Sequence, residues 1–327
     1  MKSIFSACVL ALGIVSSLTT VCAAQTSDPH EGLQQRPAAK ATNPLRTMIL
    51  SAVQAGPRVV AVGERGIVLL SDDDGHTWRQ ASRVPTTATL TSVVFIDDQS
   101  GWAVGHWGVI LHTQDGGETW QLQRDDLGAD QPLFSVWFKD AQQGFAAGLF
   151  SLLLTTHDGG KTWTPIKLPA EGSKAADVNL FRIFPDRQGN VLLAGEQGRV
   201  YRSRDDGASW DAMPTGAKGT FWTGRVLDDD SIVVAGLRGN VYRSSDAGAS
   251  WTRIDVASNS SITDMIQLPN GDLLMVGMDG VTLLSKDRGA TFDMQQRQDH
   301  APLTAVVANS RGIPLFFSQS GIAKNNY

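Results

Sequence analysis

The acidic side chains are where chemistry would have to start in this chain. Hydrolysis of a glycoside needs two facing carboxylates, roughly 5–10 Å apart according to mechanism. Glu64, Glu196, Asp264 and Asp279 are the acids such a site could draw on, and nothing in the sequence pairs them. Runs such as Asp72-Asp73-Asp74 and Asp228-Asp229-Asp230 read as turns, with calcium binding a weak alternative. His30, His76, His106, His112, His157 and His300 are scattered, with no pair at metal-ligand spacing. No Gly-x-Ser-x-Gly and no phosphate-binding loop occurs. Both cysteines, Cys8 and Cys22, lie near the N-terminus. The residues therefore predict no catalytic set, no metal and no cofactor.

Six aspartates stand in one frame, Ser/Thr-x-Asp-x-Gly-x-Ser/Thr-Trp/Phe. They are Asp73, Asp115, Asp158, Asp205, Asp246 and Asp287, spaced 41 to 47 residues apart. A repeat of this period means a propeller, solenoid or array. Each copy sits in a run of four short strands. In the second these are Leu90–Ile96 (strand a), Trp102–Gly105 (b), Val109–Thr113 (c) and a strand d from Thr119. Four antiparallel strands per period describe a propeller blade. The frame falls on the turn from c to d. Its Asp is expected to accept turn N–H groups. Its Gly supplies φ > 0, and its aromatic packs between sheets. Leu303 to Ala323 repeats strands a to c once more without the frame. The fold expected is all-β: a seven-bladed β-propeller of four-stranded antiparallel blades with six Asp-boxes. The outer strand of the last blade could come from residues just before Arg46.

Residues 1–24 read as a secretory signal peptide: Lys2, an apolar stretch from Ile4 to Val21, then small residues at Cys22-Ala23-Ala24. The mature chain would then carry no thiol. Residues 25–45 read as a linker that could supply the closing strand, and 46–327 as the propeller. The expected location is exported, periplasmic or extracellular. A formal net charge of −5 and the absence of a basic run argue against a nucleic-acid partner.

The six frames are Asp-boxes, also called bacterial neuraminidase repeats. The phrases running from Ser92 to Trp120 and from Ser135 to Trp163 resemble the photosystem II stability/assembly-factor family of seven-bladed propellers. The Gly-Trp/Phe-x-x-Gly stretches at Gly101 and Gly144 carry that resemblance. Asn190, Ser231 and Asp272 stand where blades four to six would have the same Gly. The resemblance implies a protein without a catalytic site that assists assembly of a membrane-protein complex. Sialidases also carry Asp-boxes, and they use a Tyr nucleophile. Tyr201 and Tyr242 share one repeat position, the mark of a packing residue, and Tyr327 ends the chain.

Positions shared by all blades maintain the blade, and positions that differ are free to bind. The turns from b to c keep flanking glycines and change their centres. His106, Trp107, Leu149, Phe150, Leu237, Arg238 and Met278 occupy these tips. Large apolar residues clustered at solvent-facing tips mark an interaction site, and Trp and Arg are common anchors. The alternative is that they fold inward and plug the channel. Strand a should line that channel, with Ser92, Ser135, Arg182, Thr223 and Asp264 in one layer and Arg225 nearby. Arg182 and Asp264 are placed to pair across it or to hold a small ligand. The function expected is a non-catalytic exported scaffold for an envelope membrane-protein or transport complex. A glycosidase or lectin-like protein using the same face is the alternative.

Overall fold

The computed structural model describes residues 36–169 and 177–323. The expected leader, with Cys8 and Cys22, lies outside these residues, as do His30 and Tyr327. Seven antiparallel sheets follow one another, six of four strands and the last of three. The first strands are Ile49–Ala55, Leu90–Phe95, Leu133–Phe138, Leu180–Pro185, Phe221–Val226, Ile262–Gln267 and Leu303–Ala308. Each contacts the first strand of the next blade, and the last contacts the first, so strands a surround a central channel. In blades two to six the second strands, such as Gly101–Gly105 and Ile232–Gly236, are buried along their whole length. Both faces of each sheet are covered by neighbouring blades, which explains their near-continuous apolar sequences. Among the described residues no helix is long and apolar enough to cross a membrane.

The Asp-box chemistry is the same in all six turns. In the first, Asp73 Oδ1 accepts the Thr77 N–H (2.8 Å) and the Ser71 hydroxyl (2.8 Å), while Oδ2 accepts the Thr77 hydroxyl (2.5 Å). The box glycines have φ between +80° and +90°. The aromatics wedge against the preceding blade. Trp78 meets Phe317 of blade seven edge-on, and Trp210 meets Phe145 of blade three likewise.

These hydrogen bonds favour the ionised carboxylate. The Thr77, Thr162, Ser250 and Thr291 bonds hold Asp73, Asp158, Asp246 and Asp287 down to about 2. A carboxyl depressed on folding stabilises above its unfolded value near ~4, and that contribution disappears as pH falls through the folded value. Thermal unfolding followed from pH 5 to pH 2 should therefore show stability falling between about 4 and about 2. A flat profile would show that the boxes do not hold the turns.

Two sequence expectations change. Strand pairing places Val191, Ile232 and Leu273 level with Gly101 and Gly144, one residue beyond Asn190, Ser231 and Asp272. The reason is local packing. Phe95 and Phe138 lie across Gly101 and Gly144, whose added Cβ would meet the rings at 2.6 Å. Blades four to six have Pro185, Val226 and Gln267 there instead, leaving room for a side chain.

The second change concerns closure. Among the described residues blade seven gains no fourth strand. Pro44–Arg46 forms a 3-10 turn against Gly321–Ala323. Residues 38–41 run instead along blade one, where the Ala38 N–H donates to Val84 O and Lys40 Nζ to Ala81 O. The ring closes through side chains. Thr304 donates to Ile49 O, Ser310 Oγ to Asp74 Oδ1 (2.6 Å), and Arg311 pairs with Asp74 (3.1 Å).

Candidate binding face and central channel

The b–c turns are built by close backbone approach. The N–H of the first tip residue donates to the carbonyl just before strand a: His106 to Thr89 O (2.9 Å), Leu149 to Pro132 O (3.0 Å), Leu237 to Thr220 O (2.9 Å). A Cβ on Gly63, Gly105, Gly148, Gly195, Gly236 or Gly277 would fall 1.9–2.7 Å from that same carbonyl oxygen. The next two residues both have positive φ, the pattern of a type I′ turn. They are Arg65-Gly66, Trp107-Gly108, Gln197-Gly198, Arg238-Gly239, Asp279-Gly280 and, in blade three, Phe150-Ser151.

Blade three is the exception. Its turn has no glycine at either left-handed position: Phe150 has φ +53° and Ser151 φ +57°. Left-handed backbone costs an L-residue roughly 1–2 kcal/mol. Ser151 is tied down by Val178, whose N–H donates to Ser151 Oγ (2.9 Å) and whose carbonyl accepts the Ser151 N–H (2.8 Å). The Phe150 N–H donates to Asn179 Oδ1 (3.0 Å). The ring of Phe150 is left in solvent, 59% exposed.

The other tip residues are placed less uniformly. His106 and Arg238 are exposed, while Leu149, Leu237 and Met278 are half-buried. Trp107 is half-buried against the core of blades one and two. The polar Glu196-Gln197 tip of blade four interrupts the series. His106 also lines the mouth of the channel on this face. Desolvation there lowers its pKa despite the opposing field of Asp130.

The mouth contains residues that sequence reasoning missed. Strand a has an irregularity two residues in, between Leu90 and Ser92 in blade two and at the matching place in the others. A bulge re-aims the extra residue. Here the re-aimed residues are Leu50, Thr91, Phe134, Phe181, Trp222, Thr263 and Thr304, and they line a cavity of about 300 Å³. Phe134, Phe181 and Trp222 come from consecutive blades, and the two Phe rings stack at 5.2 Å. The threonines link blades, as in Thr91 Oγ1 to Leu133 O (2.6 Å). Variation at this position from blade to blade is visible in the sequence, but the irregularity that turns it toward the axis is not.

Below the mouth, strand pairing puts Ser92, Ser135, Arg182, Thr223 and Asp264 in one layer, and Ser51 of blade one, which the sequence reading did not include, joins them. Arg182 Nη2 lies 3.7 Å from Asp264 Oδ1. Burial raises the pKa of Asp264, against the fields of Arg182 and Arg225, and burial lowers that of Arg225. Arg182 and Asp264 line both the mouth and a deeper cavity of about 580 Å³, whose wall includes Arg225 and Trp137.

The candidate hydrolytic acids each have other partners. Glu64 accepts the Met48 N–H (3.2 Å), and Glu196 accepts the Asn179 N–H (3.0 Å) and side-chain amide (2.9 Å). Asp279 lies 3.9 Å from His300. Tyr201 is fully buried in the core, and Tyr242 packs edge-on against Phe221. Among the described residues no group of three or more His, Cys, Asp or Glu side chains is placed to hold a metal ion.

A family model described as photosynthesis system II assembly factor YCF48 matches residues 80–314. No curated protein matches the chain. Among solved structures, one described as YCF48 bound to D1 peptide superposes with a TM-score of 0.68 at 19% identity, covering 85% of this chain and 93% of the other. YCF48 from Cyanidioschyzon merolae gives 0.68 at 14% identity, covering 88% and 97%. A streptogramin B lyase gives 0.72 at 13% identity, covering 86% and 94%. At these identities the structures share the fold.

Proposed function

The chain belongs to the photosystem II assembly factor YCF48 family, and we propose that it is an exported, non-catalytic scaffold. Its b–c face would hold a segment of an envelope membrane protein or transport complex during assembly. The observation that carries this reading is the tip of blade three. Two non-glycine residues hold left-handed conformations there, and the turn presents a ring that is 59% exposed. Backbone strain of this kind clusters at functional sites. The aromatic mouth on the same face enlarges the apolar surface, and Arg238 supplies a cation at the tip of blade five. The relative whose structure is described as bound to D1 peptide supports a peptide segment as the thing bound. The signal-peptide pattern supports export.

The test is capture from the crosslinked envelope of the host, comparing the mature chain with a Phe150→Ala/Arg238→Ala variant. Recovery of one membrane complex by the unmodified chain, and its loss with the variant, is the expected result. Equal recovery by both would remove the face from the reading. Binding on a glycan array with no membrane protein captured would replace the scaffold with a carbohydrate-binding protein.

A further inference from the structure

The channel layer is satisfied around part of the ring and open in one sector. Ser51 Oγ accepts the Val93 N–H of the next blade (3.3 Å), and Ser135 Oγ accepts that of Ile183 (3.0 Å). Asp264 does the same with one oxygen, Oδ2 taking the Val306 N–H at 3.1 Å. Its other oxygen has no well-aligned hydrogen-bond partner, although the Met265 N–H also acts on the carboxylate and the residue is only 8% exposed. Arg182 stops 3.7 Å short of that oxygen, beyond hydrogen-bond distance. Arg225, one blade before Asp264, makes neither a hydrogen bond nor an ion pair with any described residue, and it feels only the fields of Arg182 and Asp264. One wall of the channel thus offers a free guanidinium, a second guanidinium half-engaged, and a bare carboxylate oxygen.

We propose that the channel binds a small carboxylic acid that carries a hydrogen-bond donor beside its carboxylate, the class of α-amino acids and 2-hydroxy acids. A guanidinium fork matches a carboxylate in two parallel bonds. A buried acceptor left unmet is costly, and the cost disappears when a donor reaches it. A plain oxyanion would serve Arg225 and Arg182 and leave Asp264 Oδ1 bare. A plain amine would do the reverse. A ligand with both groups serves the whole wall. The cavity of about 580 Å³ is of ligand-binding size. Arg182 and Asp264 line both this cavity and the mouth, and the cavity runs on to Gln54, Asp186, Arg187 and Gln267 at the far ends of strands a. This inference stands apart from the scaffold reading, since neither Arg225 nor Asp264 belongs to the tips.

The experiment is thermal shift and calorimetric titration of the mature protein at constant ionic strength. The probes are the standard amino acids, lactate, glycerate, acetate and methylamine. At least one amino acid or hydroxy acid should raise Tm and bind about tenfold more tightly than acetate, because acetate leaves the Asp264 oxygen unmet. Arg225→Gln should lose at least about tenfold in that affinity. Its Tm without ligand should be no lower than that of the unmodified protein, because it removes an uncompensated charge from the channel. Asp264→Asn keeps an acceptor for the Val306 N–H and should erase the preference over acetate. The proposal is overturned by no response to any of these acids or by acetate binding equally well. It is equally overturned by an unchanged response in Arg225→Gln, or by a sharp fall in that variant's unliganded Tm.

Discussion

Phe150→Ala is expected to weaken binding of the captured membrane segment about 30-fold, the effect of losing one interface hot spot worth roughly 2 kcal/mol. The folded protein should hardly notice. The ring is 59% exposed and belongs to no core cluster, and surface changes of this kind usually move stability by less than about 0.5 kcal/mol. Phe150→Gly sharpens the test. At φ +53° glycine is the residue the backbone prefers, so this variant should unfold at an unchanged or higher temperature while binding no better than Phe150→Ala. Titration of both variants with a peptide from the captured protein, beside their melting curves, separates recognition from folding. Parallel losses of binding and stability would mean that Phe150 supports the fold and the anchor lies elsewhere.

Trp120→Ala should have the opposite character. Trp120 is 2% exposed, sits edge-on to Phe95 at 6.2 Å, and donates its indole N–H to Gly117 O at 2.9 Å. Its truncation leaves a cavity between blades one and two and costs about 3–5 kcal/mol. For a domain of this size that lowers Tm by roughly 10 °C. Trp120→Phe should recover much of the loss, since Phe292 fills the same slot in blade six. Melting curves of both variants check this, and an Ala variant as stable as the parent would show that the Asp-box aromatics are not structural wedges.

The architecture was legible in the sequence because it is written six times. The Asp-box specifies its own turn through bonds that span four residues, so no distant contact is needed to read it. The channel layer of blades two to six was legible for a related reason: there strand a keeps a fixed distance to the glycine that ends strand b, whereas Ser51 of blade one stands one residue closer to Gly63. What could not be read depends on contacts between blades. The half-burial of Trp107 is set by the neighbouring core. The aromatic mouth exists because an irregularity two residues into strand a turns Phe134, Phe181 and Trp222 toward the axis, and periodicity alone places no irregularity. The course of residues 38–41 along blade one followed from hydrogen bonds to Ala81 and Val84 that no local pattern announces.

The manner of ring closure bears on how the protein is made. Blade one emerges from the ribosome first, yet one of its flanks is completed by residues near the other end. Gly75 and Trp78 pack on Leu315 and Phe317, and Asp74 is met by Ser310 and Arg311. Until those residues arrive, a growing chain carries an apolar flank with nothing against it. Blades two to six can each dock on the one made before. The first must wait for the last, so the interval between them, almost the whole length of synthesis, is when this molecule most needs a holding partner.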